Sequence, residues 1–256
     1  MMRWVIALLI VLATTEARAQ IVNVQGQLAK APEKDSVTGQ VEGKFDWREG
    51  NNPLFQIGGV GSLLIREGKL LALVVAKGEY GVSQGVDLSR KTFEHLRFRY
   101  SLDCRWKWEL FAQHEFDRFR RLSVRAIAGT GPAVQIVNEK SFALLAGAAY
   151  LFELEQLDER PATIDAGEGT IFHRASFYLT GLEKISEQVS IVETFYAQPR
   201  LGDPGDLRLL AELSVTTKLS KRIALTNSFT LAYDRTPPDG IKRFDSQLTL
   251  GVLVTF

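Results

Sequence analysis

The chain has 256 residues, 31 basic against 30 acidic, and a single cysteine. This near balance gives no electrostatic case for nucleic acid. A lone Cys104 excludes an intramolecular disulfide framework and a cysteine-rich metal site. The length is ample for one large β domain.

In chain order, Arg3 precedes an apolar run from Trp4 to Ala13, followed by Ala17-Arg18-Ala19. This is the layout of a secretory signal peptide cut after Ala19. The run is too short to span a bilayer, and no cysteine follows the site to take a lipid anchor. Removing residues 1–19 leaves an uncharged balance. Residues 20–35 are polar, contain Pro32 and show no clear period, so they are expected to form a flexible periplasmic leader. A single barrel domain is expected over residues 36–256.

Alternation with a period of two starts at Val37 and marks strands with two distinct faces. Val37, Val41, Phe45 and Trp47 share one face of the first strand. A turn by composition at Glu49–Pro53 leads to a second strand over Leu54–Arg66 and a third over Leu70–Tyr80. Gly81–Lys91 reads as a loop. Next, Phe93–Ser101 sets Leu96, Phe98 and Tyr100 opposite His95, Arg97 and Arg99. Arg105–Asp117 groups Trp106, Trp108 and Leu110 opposite Glu109, Glu115 and Asp117. Leu122–Ile136 follows and contains Arg125. Pro132 cannot donate to a ladder, so a bulge or break is expected there.

Ser141–Glu155 places Tyr150 with Phe142 and Phe152, opposite Glu153. Gln156–Ile171 is the longest gap and is acidic. In Phe172–Leu182, Phe177 lies opposite Arg174 and Tyr178. The faces of Gln188–Gln198 cannot be separated. Pro199–Gly205 reads as a loop, and Asp206–Leu219 sets Leu207, Leu209 and Leu213 opposite Arg208 and Glu212. Ile223–Asp234 contains Tyr233, and a Pro-Gly loop precedes the last strand. That strand, Arg243–Phe256, alternates cleanly and stops on an aromatic residue.

These segments make twelve strands. Connections near 68, 103, 138, 185 and 221 are short, whereas those near 86, 163, 202 and 239 are long. Sorting of loop length by parity belongs to an all-β, up-and-down antiparallel transmembrane barrel with periplasmic termini. A soluble sandwich has no reason to sort its loops this way. A terminal strand ending in Phe256 also resembles the signal read by the barrel-insertion machinery of the outer membrane. Ten strands, or a soluble periplasmic β-protein, are the alternatives.

An ordered set of motifs supports the barrel. It includes H-L-R-F-R-Y at His95–Tyr100, R-A-I-A-G-T-G at Arg125–Gly131, R-A-S-F-Y at Arg174–Tyr178, Y-A-Q-P at Tyr196–Pro199 and Y-D-R-T-P-P-D-G at Tyr233–Gly240. In these the chain resembles the YdiY-like, salt-induced outer-membrane proteins, a domain-of-unknown-function family. The resemblance runs from about Val37 to the end and departs at Phe98, at Pro132 and in the acidic loop. It implies a membrane barrel and brings no catalytic residue, ligand or cofactor.

The candidate site is the inward-phase charge set His95, Arg97, Arg99, Glu109, Glu115, Asp117, Arg125, Glu153, Arg174, Arg208 and Glu212. Such groups line a pore or fix strand register as cross-strand ion pairs. Trp47, Trp106, Trp108, Tyr150, Tyr233 and Phe256 share the apolar phase and are expected to meet lipid at the membrane interface. Catalysis is not expected. His114 lies in the apolar phase near a strand end, with no carboxylate evident from the sequence to orient it. The loop acids Asp158, Glu159, Asp165 and Glu168 lack calcium-loop spacing. Three function classes fit: a narrow small-solute channel, an envelope-stress structural protein with a charge-filled lumen, and a barrel hydrolase.

Overall fold

The computed structural model describes residues 21–32, 34–49 and 54–256. The proposed signal peptide and the turn at 50–53 lie outside the described residues. A short helix, α1 (Gln25–Ala29), precedes twelve strands. They are β1 (Ser36–Arg48), β2 (Leu54–Glu67), β3 (Leu70–Ser83), β4 (Val86–Ser101), β5 (Trp106–Asp117) and β6 (Leu122–Asn138). Then come β7 (Phe142–Leu157), β8 (Gly169–Lys184), β9 (Val189–Arg200), β10 (Asp203–Lys218), β11 (Ile223–Asp234) and β12 (Phe244–Thr255). Each strand pairs antiparallel with its sequence neighbours, and β1 pairs with β12, so the sheet closes into a barrel. Closure removes the exposed edges that an open sheet would leave.

The period of two in the sequence becomes inside against outside. Along β4, Phe93, His95, Arg97 and Arg99 are buried, while Glu94, Leu96, Phe98 and Tyr100 are exposed. β9, whose faces were not separable, turns Val192, Thr194, Tyr196 and Gln198 inward. The outward face is an apolar band, with Val37, Phe45, Leu110, Phe177, Leu248, Leu250 and Val252 all exposed.

The β1–β12 seam is short. Its ladder runs only from Gln40↔Thr255 to Gly43↔Val252. One further reciprocal pair of backbone bonds joins Gly39 to Phe256, at 2.9 and 3.0 Å. The Phe256 ring lies against Gly39 so closely that a Cβ there would sit 2.3 Å from the ring. The missing side chain is what lets the terminal aromatic fold back across the seam.

Two connections and one strand differ from the sequence reading. Residues 81–91 and 199–205 are mostly strand. The β3–β4 and β9–β10 connections are two-residue turns, Gln84-Gly85 and Leu201-Gly202. Gln84 and Gly85 both have positive φ, the geometry that suits a tight hairpin. Gly, Ser and Asp mark these places by composition, but a turn needs only two of them. Pro132 does not bulge the strand. The β6–β7 register is the same at Thr130↔Tyr150 and Ala133↔Gly147, and the shifts fall at Leu122/Val124 and Gln135/Val137. At Gly131 the strands approach so closely that a Cβ would lie 2.0 Å from the Ala148 oxygen.

The largest departure is the leader. Residues 21–32 lie inside the barrel, where Ile21, Val24, Gln25 and Leu28 are all buried. Val24 and Leu28 pack on Leu64, Leu71, Leu73, Val75 and Phe93. Ile21 reaches Tyr178, Tyr196 and Leu210. The inner wall thus carries an apolar patch, and burying that patch under the leader is what holds the leader in place. Strand β3 is apolar on both faces for this reason.

Candidate functional site

The inward charges form two groups at different depths. Nearer the termini end, Glu109 on β5 accepts from two β4 arginines, Arg97 Nη1 at 2.9 Å and Arg99 Nε at 2.6 Å. The inserted leader joins this group, because Arg99 Nη2 donates to Gln25 Oε1 at 2.8 Å. His95 stacks between Phe93 and Phe111, with centroids 6.0 and 5.8 Å away. Arg97 Nε donates to His95 Nε2 at 3.2 Å. The Arg97 guanidinium also lies 4.2 Å from the Phe111 centroid, within cation–π range.

Toward the loop end the lattice is larger. Glu153 on β7 is fully buried and faces three arginines: Arg208 at 2.6 Å, Arg125 at 3.2 Å and Arg174 at 3.5 Å. Glu155 holds Arg125 at 2.5 Å and Arg208 at 3.3 Å. Arg208 Nε donates to Asp234 on β11 at 3.2 Å. Arg174 Nη2 donates to both oxygens of Asp206 at 3.0 Å. At the other flank Glu115 meets Arg125 at 3.4 Å and Arg120 at 2.7 Å, and Asp117 lies 3.7 Å from Arg120. Arg208 on β10 and Glu153 on β7 are separated along the wall by β8 and β9. Their contact therefore runs through the lumen, between strands three places apart of twelve, and not along the wall. Between the two groups the cavity beside Ile21, His95 and Tyr178 measures about 30 Å³, room for about one or two waters.

Ten of the eleven charged residues expected inside are buried, and Glu212 is half-buried, accepting from Asn23 of the leader at 3.1 Å. The structure also brings in Arg120, Glu155, Asp206 and Asp234, which the sequence reading did not single out. Glu155, Asp206 and Asp234 share the inward phase, so phase alone could have found them. Arg120 sits in a 3-10 turn (Arg118–Arg120), where no period operates.

A third cluster ties the outer loops together. Arg121, at positive φ, donates to Asp158 Oδ1 at 3.0 Å, to Asp165 and to the Asp239 carbonyl at 3.1 Å. The Asp239 amide in turn donates to Asp165 Oδ2 at 2.8 Å. The two longest loops among the described residues, 158–168 and 235–243, are thus clasped over the lumen. Burial alone would raise the Asp165 carboxyl. The Asp239 amide and the Arg121 guanidinium outweigh it and hold that carboxyl below its ordinary value.

On the outer wall Trp47, Trp106, Trp108 and Phe256 are exposed near strand ends, and Tyr233 is half-buried in the same phase. Tyr150 is exposed but lies halfway along β7, its hydroxyl 2.5 Å from His173 Nδ1. Phase shows which way a side chain points, whereas depth depends on strand ends. His114 does have a carboxylate: Glu94 Oε2 lies 2.6 Å from its Nδ1. The two are directly opposed across β4 and β5, a pairing that needs the register to be seen.

Residues 43–256 match the family described as "Protein of unknown function, DUF481". The chain belongs to this family. No curated protein matches the DUF481 chain in sequence. Among solved structures, the fold is similar to the COG4313 outer membrane channel from Pseudomonas putida F1. The TM-score is 0.55 at 11% identity, over 88% of this chain and 97% of that one. It is also similar to the NanC porin, with a TM-score of 0.50 at 10% identity, over 86% of this chain and 99% of that one. At such identities the likeness extends to the fold, that of outer-membrane β-barrels.

Proposed function

We propose that this DUF481 chain is an outer-membrane barrel whose lumen is closed at rest, a narrow channel that passes little until its internal ion pairs are broken. The single observation that carries the reading is the buried contact through the lumen between Arg208 and Glu153, on strands three places apart, 2.6 Å long. Charges facing each other over a pore set its permeability. Here they touch. The same reading puts lipid against the apolar outer band. It sends the chain out by its signal peptide and has the insertion machinery read β12. It assigns no catalysis.

Planar-bilayer recording tests it. The wild type should show a small conductance at modest voltage. Replacing Arg208→Gln together with Glu153→Gln keeps the charge balanced and should raise conductance several-fold. Leu28→Asp, which disfavours insertion of the leader, should raise it further. A wide, open wild-type pore would overturn the proposal. Silence in all three proteins would leave a structural role in the envelope as the better reading.

A further inference from the structure

Beneath the inserted leader the lumen widens into a vestibule of about 1160 Å³ that opens at the termini end. Its lining carries nine Lys and Arg side chains but only two carboxylates, Glu139 and Glu187. The whole chain is almost neutral, so this excess is local. Three of the nine have polar partners: Arg99 holds Glu109, Lys30 Nζ donates to Thr216 Oγ1 at 2.6 Å, and Lys107 Nζ donates to the Gln135 amide oxygen. For six of the nine, Arg66, Lys107, Lys140, Lys184, Lys218 and Arg222, no carboxylate among the described residues lies within ion-pair distance. Arg66 Nε is buried with no hydrogen-bond partner, and Lys107 has only the Gln135 amide oxygen at 3.3 Å.

The contrast with the lattice above is informative. Deeper in the barrel every buried arginine has a carboxylate within ion-pair distance, Arg97 and Arg99 sharing Glu109. The six around the vestibule have none. The six cations come from β2, β5, the β6–β7 turn, β8, β10 and the β10–β11 turn, so they ring the mouth. A ring of like charges repels itself, and its field concentrates counter-ions in a concave, partly desolvated space. We propose that this vestibule is a binding site for a small multivalent anion, one bearing several phosphate or carboxylate groups, which enters from the termini side. A single-charged anion meets one or two of these side chains. An anion with several charged groups bridges more and gains a charge-assisted hydrogen bond at each. Rings of Lys and Arg serve anion and phosphate pores in the same way. The inference does not require the barrel to conduct.

The test is calorimetric titration of the folded, detergent-solubilised protein. Inorganic tripolyphosphate and propane-1,2,3-tricarboxylate are the two anionic probes, with orthophosphate and maltotriose for comparison. Binding of at least one multivalent anion is expected, near one per barrel, weakening as salt rises, with orthophosphate at least tenfold weaker. The relative affinity of the two probes distinguishes a phosphate ligand from a carboxylate one. Lys140→Glu, Lys184→Glu and Lys218→Glu together should reduce that affinity at least tenfold. Lys69→Glu, on a turn outside the cavity lining, should leave it unchanged. A wild-type measurement stands beside the variants. The bound anion should protect Lys140, Lys184 and Lys218, but not Lys69, from reductive methylation read by mass spectrometry. No heat with either probe, an equal effect of Lys69→Glu, or uniform protection of all lysines would overturn the site.

Discussion

Glu153 is the residue on which most of the inner lattice converges, since Arg125, Arg174 and Arg208 all reach it. Removing one partner from a buried ion pair leaves uncompensated charge and typically costs about 3–5 kcal/mol. Glu153→Gln should therefore lower stability by roughly that amount in urea titrations of the refolded barrel. Glu212→Gln should cost far less, because Glu212 is half-buried and its hydrogen bonds come from neutral groups, the Asn23 amide and the Thr230 hydroxyl. Equal losses would mean that the lattice does not bear on stability. At this scale the sequence was informative where a strand ran long enough for phase to operate. Arg97, Arg99, Glu109 and Glu153 all follow from alternation. Partnership did not follow, because Arg208 meets Glu153 across two intervening strands. Arg120 and Arg121 were illegible for another reason. They sit in a turn, where direction is set by a 3-10 turn and a residue at positive φ.

Among the elements, the inserted leader is the one that local pattern could not reveal. Its helix has five residues, too few to display a helical period. Its binding partner is an apolar patch on β2, β3 and β4 that becomes continuous only once the strands are side by side. The outer loops are legible in part. The acidic composition of residues 156–171 shows, but its closure by Arg121 and Asp239 does not. That clasp has a pH signature. The Asp165 carboxyl is held below its ordinary value, so the stability it contributes is present above the unfolded-state value of about 4. It is lost as pH falls through the lower, folded value. A spin label at position 164, introduced by Ile164→Cys with Cys104→Ser, reports on the loop from a fully exposed site. Its mobility should stay constant from pH 8 to about 5 and rise only in stronger acid. In Arg121→Ala it should be high throughout. A label insensitive to both changes would show that the clasp does not order the loop.

At the scale of the whole molecule, the number of strands and their up-and-down order were legible, because apolar and polar residues alternate in most strands and each connection joins neighbours. The extent of the closing seam was not. β1 and β12 are farthest apart in sequence, and no local signal sets how far they zip. Their ladder ends at Gly43↔Val252, although β1 continues to Arg48 and β12 begins at Phe244. Over that upper reach each strand is paired through only one of its two edges, to β2 and to β11 respectively. All other neighbouring strands are joined along most of their length. The barrel thus has a built-in line of failure. Backbone groups along it must be met by water or headgroups, because hydrocarbon offers no partner. Amide deuteration should be fastest along 44–48 and 244–251 and slowest in β6 and β7. A cysteine pair that stitches Lys44 to Gly251 should slow exchange there and delay unfolding more than a stitch placed between any other two strands.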